Sequence, residues 1–281
     1  MGAEFPPSFL SGKPLLIVAA TLLLVNGLFP ALWILLTSLK LEPELTRTPI
    51  TWLPADPTLH NYVQAFSDQP LLVFLANSFM VALLSTLSTL SISVLAAYAL
   101  ARLDLRFRDL ILAVIIAVST FPLVTLLVPL FEIMRALGLL NSWTALVLPY
   151  TVLSLPVCTL VLTSFFEGIP RDLENAAMID GCTRIGALFK VVVPLSAPGV
   201  FTAGILAFVN SWDEFLLALS FNSSPALRTL PVGIQLYQGE FTFPWPVISA
   251  ALVVGIVPVA LLIVLFQERV VSGLTSGGIK G

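Results

Sequence analysis

A single histidine, two cysteines and few charges of either sign leave this chain short of the groups that most enzyme chemistry needs. With His60 alone, no histidine cluster can build a metal centre or a nucleophile–histidine–acid triad, and His60 reads as a loop residue. Cys158 and Cys182 lack metal-ligand spacing, and Cys158 falls inside an apolar run, so both read as structural or incidental thiols. The net charge of −3 and the pI near 5.1 give no basic footprint, which argues against nucleic acid as a partner. No Gly-x-x-x-x-Gly-Lys-[Ser/Thr] phosphate loop occurs, so no ATPase site is expected in this chain.

Only 10% of the 281 residues are charged, against about 25% in a soluble domain. A soluble fold needs a charged skin, and 13 Lys and Arg with 16 Asp and Glu cannot cover one. What the chain has instead is apolar length: 58% of its residues are hydrophobic, and membrane lipid is the solvent for most of it. A helical span needs about 20 mostly apolar residues. Six stretches qualify, at 14–39, 71–100, 110–135, 143–166, 197–222 and 245–267. The first carries no charge before Lys40, is too long for a signal-peptide core and lacks a small-residue cleavage site, so it reads as a retained span. Pro122, Pro129, Pro149 and Pro156 predict kinked helices in the third and fourth.

The expected fold class is therefore all-α integral membrane with six transmembrane helices. A tail at 1–13 precedes a six-span domain at 14–267, a tail at 268–281 follows it, and no linker divides the chain. With both termini cytoplasmic, nine Lys and Arg fall inside and four outside, as the positive-inside rule favours. The loop at 41–70 contains Pro43, Pro49, Pro54, Pro57 and Pro70, which predicts an irregular extracytoplasmic cap rather than a helix.

The loop at 167–194 is more patterned than a connection requires. Pro170 suits the first turn of a short helix, and Asp172 and Glu174 favour the positive end of its dipole. Leu173, Ala176 and Ala177 recur at helical spacing as a small apolar face, and Gly181 supplies a stop. Thr183 caps a second short helix that is expected to end before Pro194. Such a helix suits insertion into a groove on another protein. Resting on lipid headgroups is the alternative, and it is disfavoured because residues 167–190 hold three basic against four acidic side chains.

The run Leu173-Glu-Asn-Ala-Ala-Met-Ile-Asp-Gly181, with Phe189-Lys190 and Val193-Pro194, resembles the EAA loop of ABC importer permeases. The resemblance extends over essentially the whole chain: Asn77-Ser78, Asn210-Ser-Trp-Asp-Glu-Phe-Leu216 and the tail Gln267–Gly281 are similar to the sugar-importer branch, and Gly273–Gly281 in particular resembles the shorter permease of maltose- and trehalose-type systems. It implies the type I ABC importer permease fold in the cell inner membrane. It also implies a second permease subunit as heterodimer partner, two ATP-binding subunits that hold ATP and Mg, and an extracytoplasmic sugar-binding protein. The implied docking residues are Glu174, Asn175, Ala176, Ala177, Asp180 and Gly181. Asn175 departs from the family, in which an acidic residue usually precedes the alanine pair, so any salt bridge made by that acid is in doubt.

Candidate pathway residues are Asn77, Ser78, Asn210, Ser211, Trp212 and Tyr237, whose amide, hydroxyl and aromatic groups suit a neutral sugar. Helix-to-helix hydrogen bonding is an equal alternative for the first four. The spans lack a buried Lys or Arg to pair with an anionic cargo, which points to an uncharged α-linked disaccharide such as trehalose or maltose. Permeases for glycerol phosphate share much of the same motifs. A six-span secondary transporter or channel fits the hydropathy too, but mid-span carboxylates are missing. Glu132 and Arg135 read as an interfacial anchor, and the adjacent Asp213 and Glu214 point apart on a helix, a poor acid–base pair.

Overall fold

The structure is a computed structural model that describes residues 13–239 and 242–278, with side chains described from residue 15 to residue 266 within them. Most of the 1–13 tail and the last three residues of the 268–281 tail lie outside the described residues. Among the described residues every regular element is a helix. Packing divides the chain into two units: residues up to Asp68 with Tyr237–Val254, and Gln69–Leu236 with residues from Gly255 onward. The last boundary falls inside a helix, so no linker composition marks it.

The first unit opens with α1, Lys13–Ser38, a continuous apolar run that matches the first expected span and is almost wholly exposed. The Pro-rich segment after it departs from expectation, because it contains α2, Glu42–Leu45, and α3, His60–Asp68. Pro43 does not prevent α2, since a first-turn proline lacks an N–H that the helix would not have used. Buried polar groups hold this segment. The Lys40 ammonium donates to the Thr51 carbonyl and lies 5.1 Å from the centre of the Trp33 ring. The Asn61 amide donates to the Ser38 and Lys40 carbonyls, both at 2.8 Å.

The second unit is built on α4, Leu71–Arg102, then α5, Arg108–Ser119, α6, Leu123–Ala136, and α7, Thr144–Glu167. The segment α8, Arg171–Ile179, and α9, Arg184–Ala187, leads through a π-helical turn at Leu188–Val192 into α10, Val193–Leu195. There follow α11, Ala197–Trp212, α12, Leu216–Phe221, and α13, Leu230–Gln235; α14, Trp245–Gly278, begins in the first unit. The core is α4 against α7 and α11. Small residues let these backbones close: Gly199 on α11 sits so near Phe165 that an added β-carbon would lie 2.3 Å from its ring. Side chains also bond across, with Thr159 to Ser93 at 3.3 Å and Asn210 to Ser154 at 3.2 Å.

Two expected spans are not straight. The third bends by 93° between α5 and α6, where Pro122 stands outside the helix in extended backbone. Pro129, Pro149 and Pro156 instead lie inside continuous helices. The fifth, expected over 197–222, ends at Trp212, and a separate short helix follows; the Arg184–Leu195 segment meets it at 83°. Glu214 accounts for the restart by accepting from the Leu217 and Ala218 amides at 2.9 and 3.1 Å, while the Tyr150 hydroxyl donates to it at 2.5 Å.

Candidate functional site

The segment from Arg171 to Leu195 folds as the sequence pattern requires at its start. Asp180 closes α8, and Gly181 follows at φ +92°, a region that side-chain-bearing residues rarely adopt. The Cys182 amide then donates to the Ala177 carbonyl at 3.0 Å and the Gly181 amide to Met178 at 3.1 Å, so the last carbonyls of α8 are satisfied. Thr183 caps α9, its hydroxyl accepting from the Gly186 amide at 3.1 Å. The second helix does not stop before Pro194 but runs to Leu195 through the π turn. A proline clashes with the carbonyl four residues earlier, and one wider turn before it relieves that clash.

One side of this segment is buried. Ala187, Leu188 and Val192 are fully enclosed, and the last two join Val94, Tyr98, Leu162, Phe166 and Ala203 in one apolar cluster. Glu174 is buried as well. The Tyr98 hydroxyl donates to its carboxylate, and Arg102 Nε lies 3.1 Å from it, off the hydrogen-bond line. Arg102 also donates to the Ile169 carbonyl at 2.8 Å, and the Tyr98 hydroxyl is 3.4 Å from the Arg184 carbonyl. Tyr98 and Arg102, one turn apart on α4, thus hold the segment at Glu174 and Arg184 and its approach at Ile169.

The other side is open and carries large apolar side chains among polar ones. Leu173, Ile179, Ile185 and Phe189 are 46%, 86%, 64% and 54% exposed, and Asn175, Ala176 and Asp180 are exposed beside them. Ala177 is half-buried. Of the six expected docking residues, Glu174 is therefore turned away from the open side. Its inward role was legible only if Tyr98 and Arg102 were set against the loop, and no local pattern links residues so far apart in sequence.

The expected pathway residues differ in what they bond. The Asn77 amide donates to the Ala226 and Arg228 carbonyls at 2.8 and 3.0 Å and accepts from the Trp143 indole at 3.0 Å. Ser78 accepts from the Leu230 amide at 2.7 Å, at the start of α13. Both residues are buried, and their polar groups fix residues 226–230. Asn210 is exposed on α11, Ser211 is buried, and Trp212 stacks on Phe208 with ring centres 5.7 Å apart. Tyr237 belongs to the first unit, where it donates to the Ala65 carbonyl and burial pushes its hydroxyl up to about 12. Glu132 and Arg135 form an exposed pair at 3.5 Å.

The sequence model of the family described as binding-protein-dependent transport system inner membrane component matches residues 90–275. The chain is 84% identical, over 98% of its length and 96% of the relative's, to the sulfoquinovosyl glycerol transport system permease protein SmoH of Agrobacterium fabrum. It is 40% identical, over 95% and 96%, to the trehalose/maltose transport system permease protein MalG of Thermococcus litoralis. Its fold is that of a chain from a bacterial ABC transporter involved in the import of the acidic polysaccharide alginate, with a TM-score of 0.79 at 23% identity, over 94% of this chain and 99% of that one.

Proposed function

Because the chain belongs to the family of binding-protein-dependent transport system inner membrane components, we propose that it is the permease subunit of an ATP-driven importer whose cargo is sulfoquinovosyl glycerol. The single observation that carries this cargo is 84% identity over nearly the whole of both chains. Family membership removes the secondary transporter or channel as a competing assignment. The chain is a transport component rather than an enzyme.

The expectation of a neutral disaccharide ranks second, supported by the 40% identity to a trehalose/maltose permease. That expectation leaned on the lack of buried Lys and Arg in the spans, and the inference covers only one subunit. A sulfonate can be held by neutral amide and hydroxyl donors, or by charge on a partner permease. Asn210 and Ser211 are candidates for such donors on α11.

In the assembly we place both termini in the cytoplasm, with a second permease subunit, two ATP-binding subunits and an external binding protein as partners. The open face of Leu173, Ala176, Ile179 and Ile185 supports docking on an ATP-binding subunit, since four apolar side chains at a loop gain nothing from water. The test is ATPase stimulation in the reconstituted complex by its binding protein loaded with sulfoquinovosyl glycerol, trehalose, maltose, a monosaccharide or glycerol phosphate. Stimulation by sulfoquinovosyl glycerol is expected. Stimulation by trehalose or maltose alone contradicts the assignment.

A further inference from the structure

α4 is gripped by side-chain bonds at both ends and by helix packing between. At one end Tyr98 and Arg102 hold Glu174, Ile169 and, at longer range, Arg184. At the other end Asn77 and Ser78 hold the backbone of residues 226–230. The 21 residues from Asn77 to Tyr98 span roughly 32 Å of helix, about the thickness of a bilayer's hydrocarbon core. Neither grip is a surface contact: the Arg102 and Glu174 side chains are 5% and 8% exposed, and Asn77 and Ser78 are buried.

Packing alone would hold the coupling segment against the bundle through Leu188 and Val192. A buried ion pair adds something that packing does not. Its desolvation offsets most of its attraction, so it is a weak source of stability, but parting the two groups leaves a buried charge unpaired, which restricts where the segment can sit. We infer that α4 is the strut that carries movement of the α8–α9 segment to residues 226–230 across the membrane, with Glu174, Arg102 and Tyr98 as its positioning residues. The inference rests on the docking of α8 and α9 on an ATP-binding subunit. It also reassigns Asn77 and Ser78 from cargo contact to the far grip of the same strut.

Removing one ion-pair partner leaves a buried charge and lowers abundance, so the informative variant removes both. Glu174→Gln with Arg102→Met replaces the pair by groups of similar size and should fold. Tyr98→Phe removes one hydroxyl. In the complete reconstituted transporter, with its binding protein loaded with sulfoquinovosyl glycerol, both variants should co-purify with the ATP-binding subunits. The solute moved per ATP hydrolysed should fall about tenfold in the double variant and less in Tyr98→Phe. Asn77→Leu should give a similar fall, and combining it with the double variant should add little, because both act on one element.

An unchanged ratio in the double variant overturns the strut, as do fully additive losses. Loss of the ATP-binding subunits from the double variant alone makes the cluster structural and also overturns it. Failure of the unaltered chain to bind those subunits overturns the docking itself, and the strut with it.

Discussion

The segment joining α1 to α4 and the segment joining α7 to α11 are both polar connections between apolar helices, and they differ in where their buried polar groups find partners. In the first, Lys40, Glu44 and Asn61 are 2%, 5% and 5% exposed and bonded to nearby backbone or hydroxyl groups. Glu44 alone accepts from the Thr51 hydroxyl at 2.6 Å and the Ala55 amide at 3.0 Å. In the second, the buried Glu174 carboxylate is held by Tyr98 and Arg102 of α4, more than 70 positions away in the chain. Both segments expose large apolar side chains, among them Ile50, Trp52, Leu53 and Leu59 in the first and Leu173, Ile179, Ile185 and Phe189 in the second. But a connection that satisfies its buried polar groups within itself holds its own shape, whereas one whose buried carboxylate is held by a distant helix is tied to that helix. The contrast assigns stability to the first segment and work to the second.

The largest expected effect falls on the second. Gly181→Trp forces a side chain into φ +92°, at a cost of about 1–2 kcal/mol from the backbone, and adds bulk at the end of the docking helix. No heavy atom lies within 4 Å of the new β-carbon, so insertion and abundance should survive while ATP-driven uptake in vesicles falls about tenfold or more. Near-normal uptake would erase the functional side of the contrast.

Asn61→Ala should act on stability alone. It removes both amide bonds to buried carbonyls and should cost about 2 kcal/mol, seen as lower membrane abundance with the solute-to-ATP ratio unchanged. A changed ratio would mean that the first segment also transmits.

A pH dependence comes next in size. The Thr51 hydroxyl bond holds the Glu44 carboxyl below its ordinary value of 4.5. With the folded value depressed, the contribution of Glu44 is present above 4.5 and is lost as pH falls through the folded value. Proteolysis of residues 41–59 should therefore quicken at acid pH, and Glu44→Gln should flatten that profile; an identical profile in the variant would contradict the assignment.

The smallest effect belongs to Glu132→Gln. Its pair with Arg135 is 59% and 67% exposed, and such pairs contribute about 0–1 kcal/mol, so abundance and uptake should match the unaltered chain. A clear loss of either would show that this end of α6 is covered by a partner.

Four of the six spans were legible because an uninterrupted apolar run leaves a helix no alternative in lipid, as in Leu71–Arg102 and Thr144–Glu167. Hydropathy has no direction: Pro122 marked a kink in the third span but not a 93° bend, and nothing marked the break after Trp212. The turn at Gly181 and the cap at Thr183 were local and were read correctly. The inward course of Glu174 was not, since it depends on Tyr98 and Arg102, 76 and 72 positions away. For Asn77 and Ser78 the sequence left cargo contact and helix-to-helix bonding equal, because a polar residue in an apolar run reads alike whether it meets cargo or another backbone carbonyl.

The central claim is that the open face of α8 and α9 meets an ATP-binding subunit. A photoreactive side chain at Ile179, the most exposed of its apolar residues, tests it in native membranes containing the whole transporter. The account predicts a crosslink to the ATP-binding subunit whose yield changes between ATP-bound and nucleotide-free membranes. Crosslinks to lipid alone, with or without ATP, would contradict it.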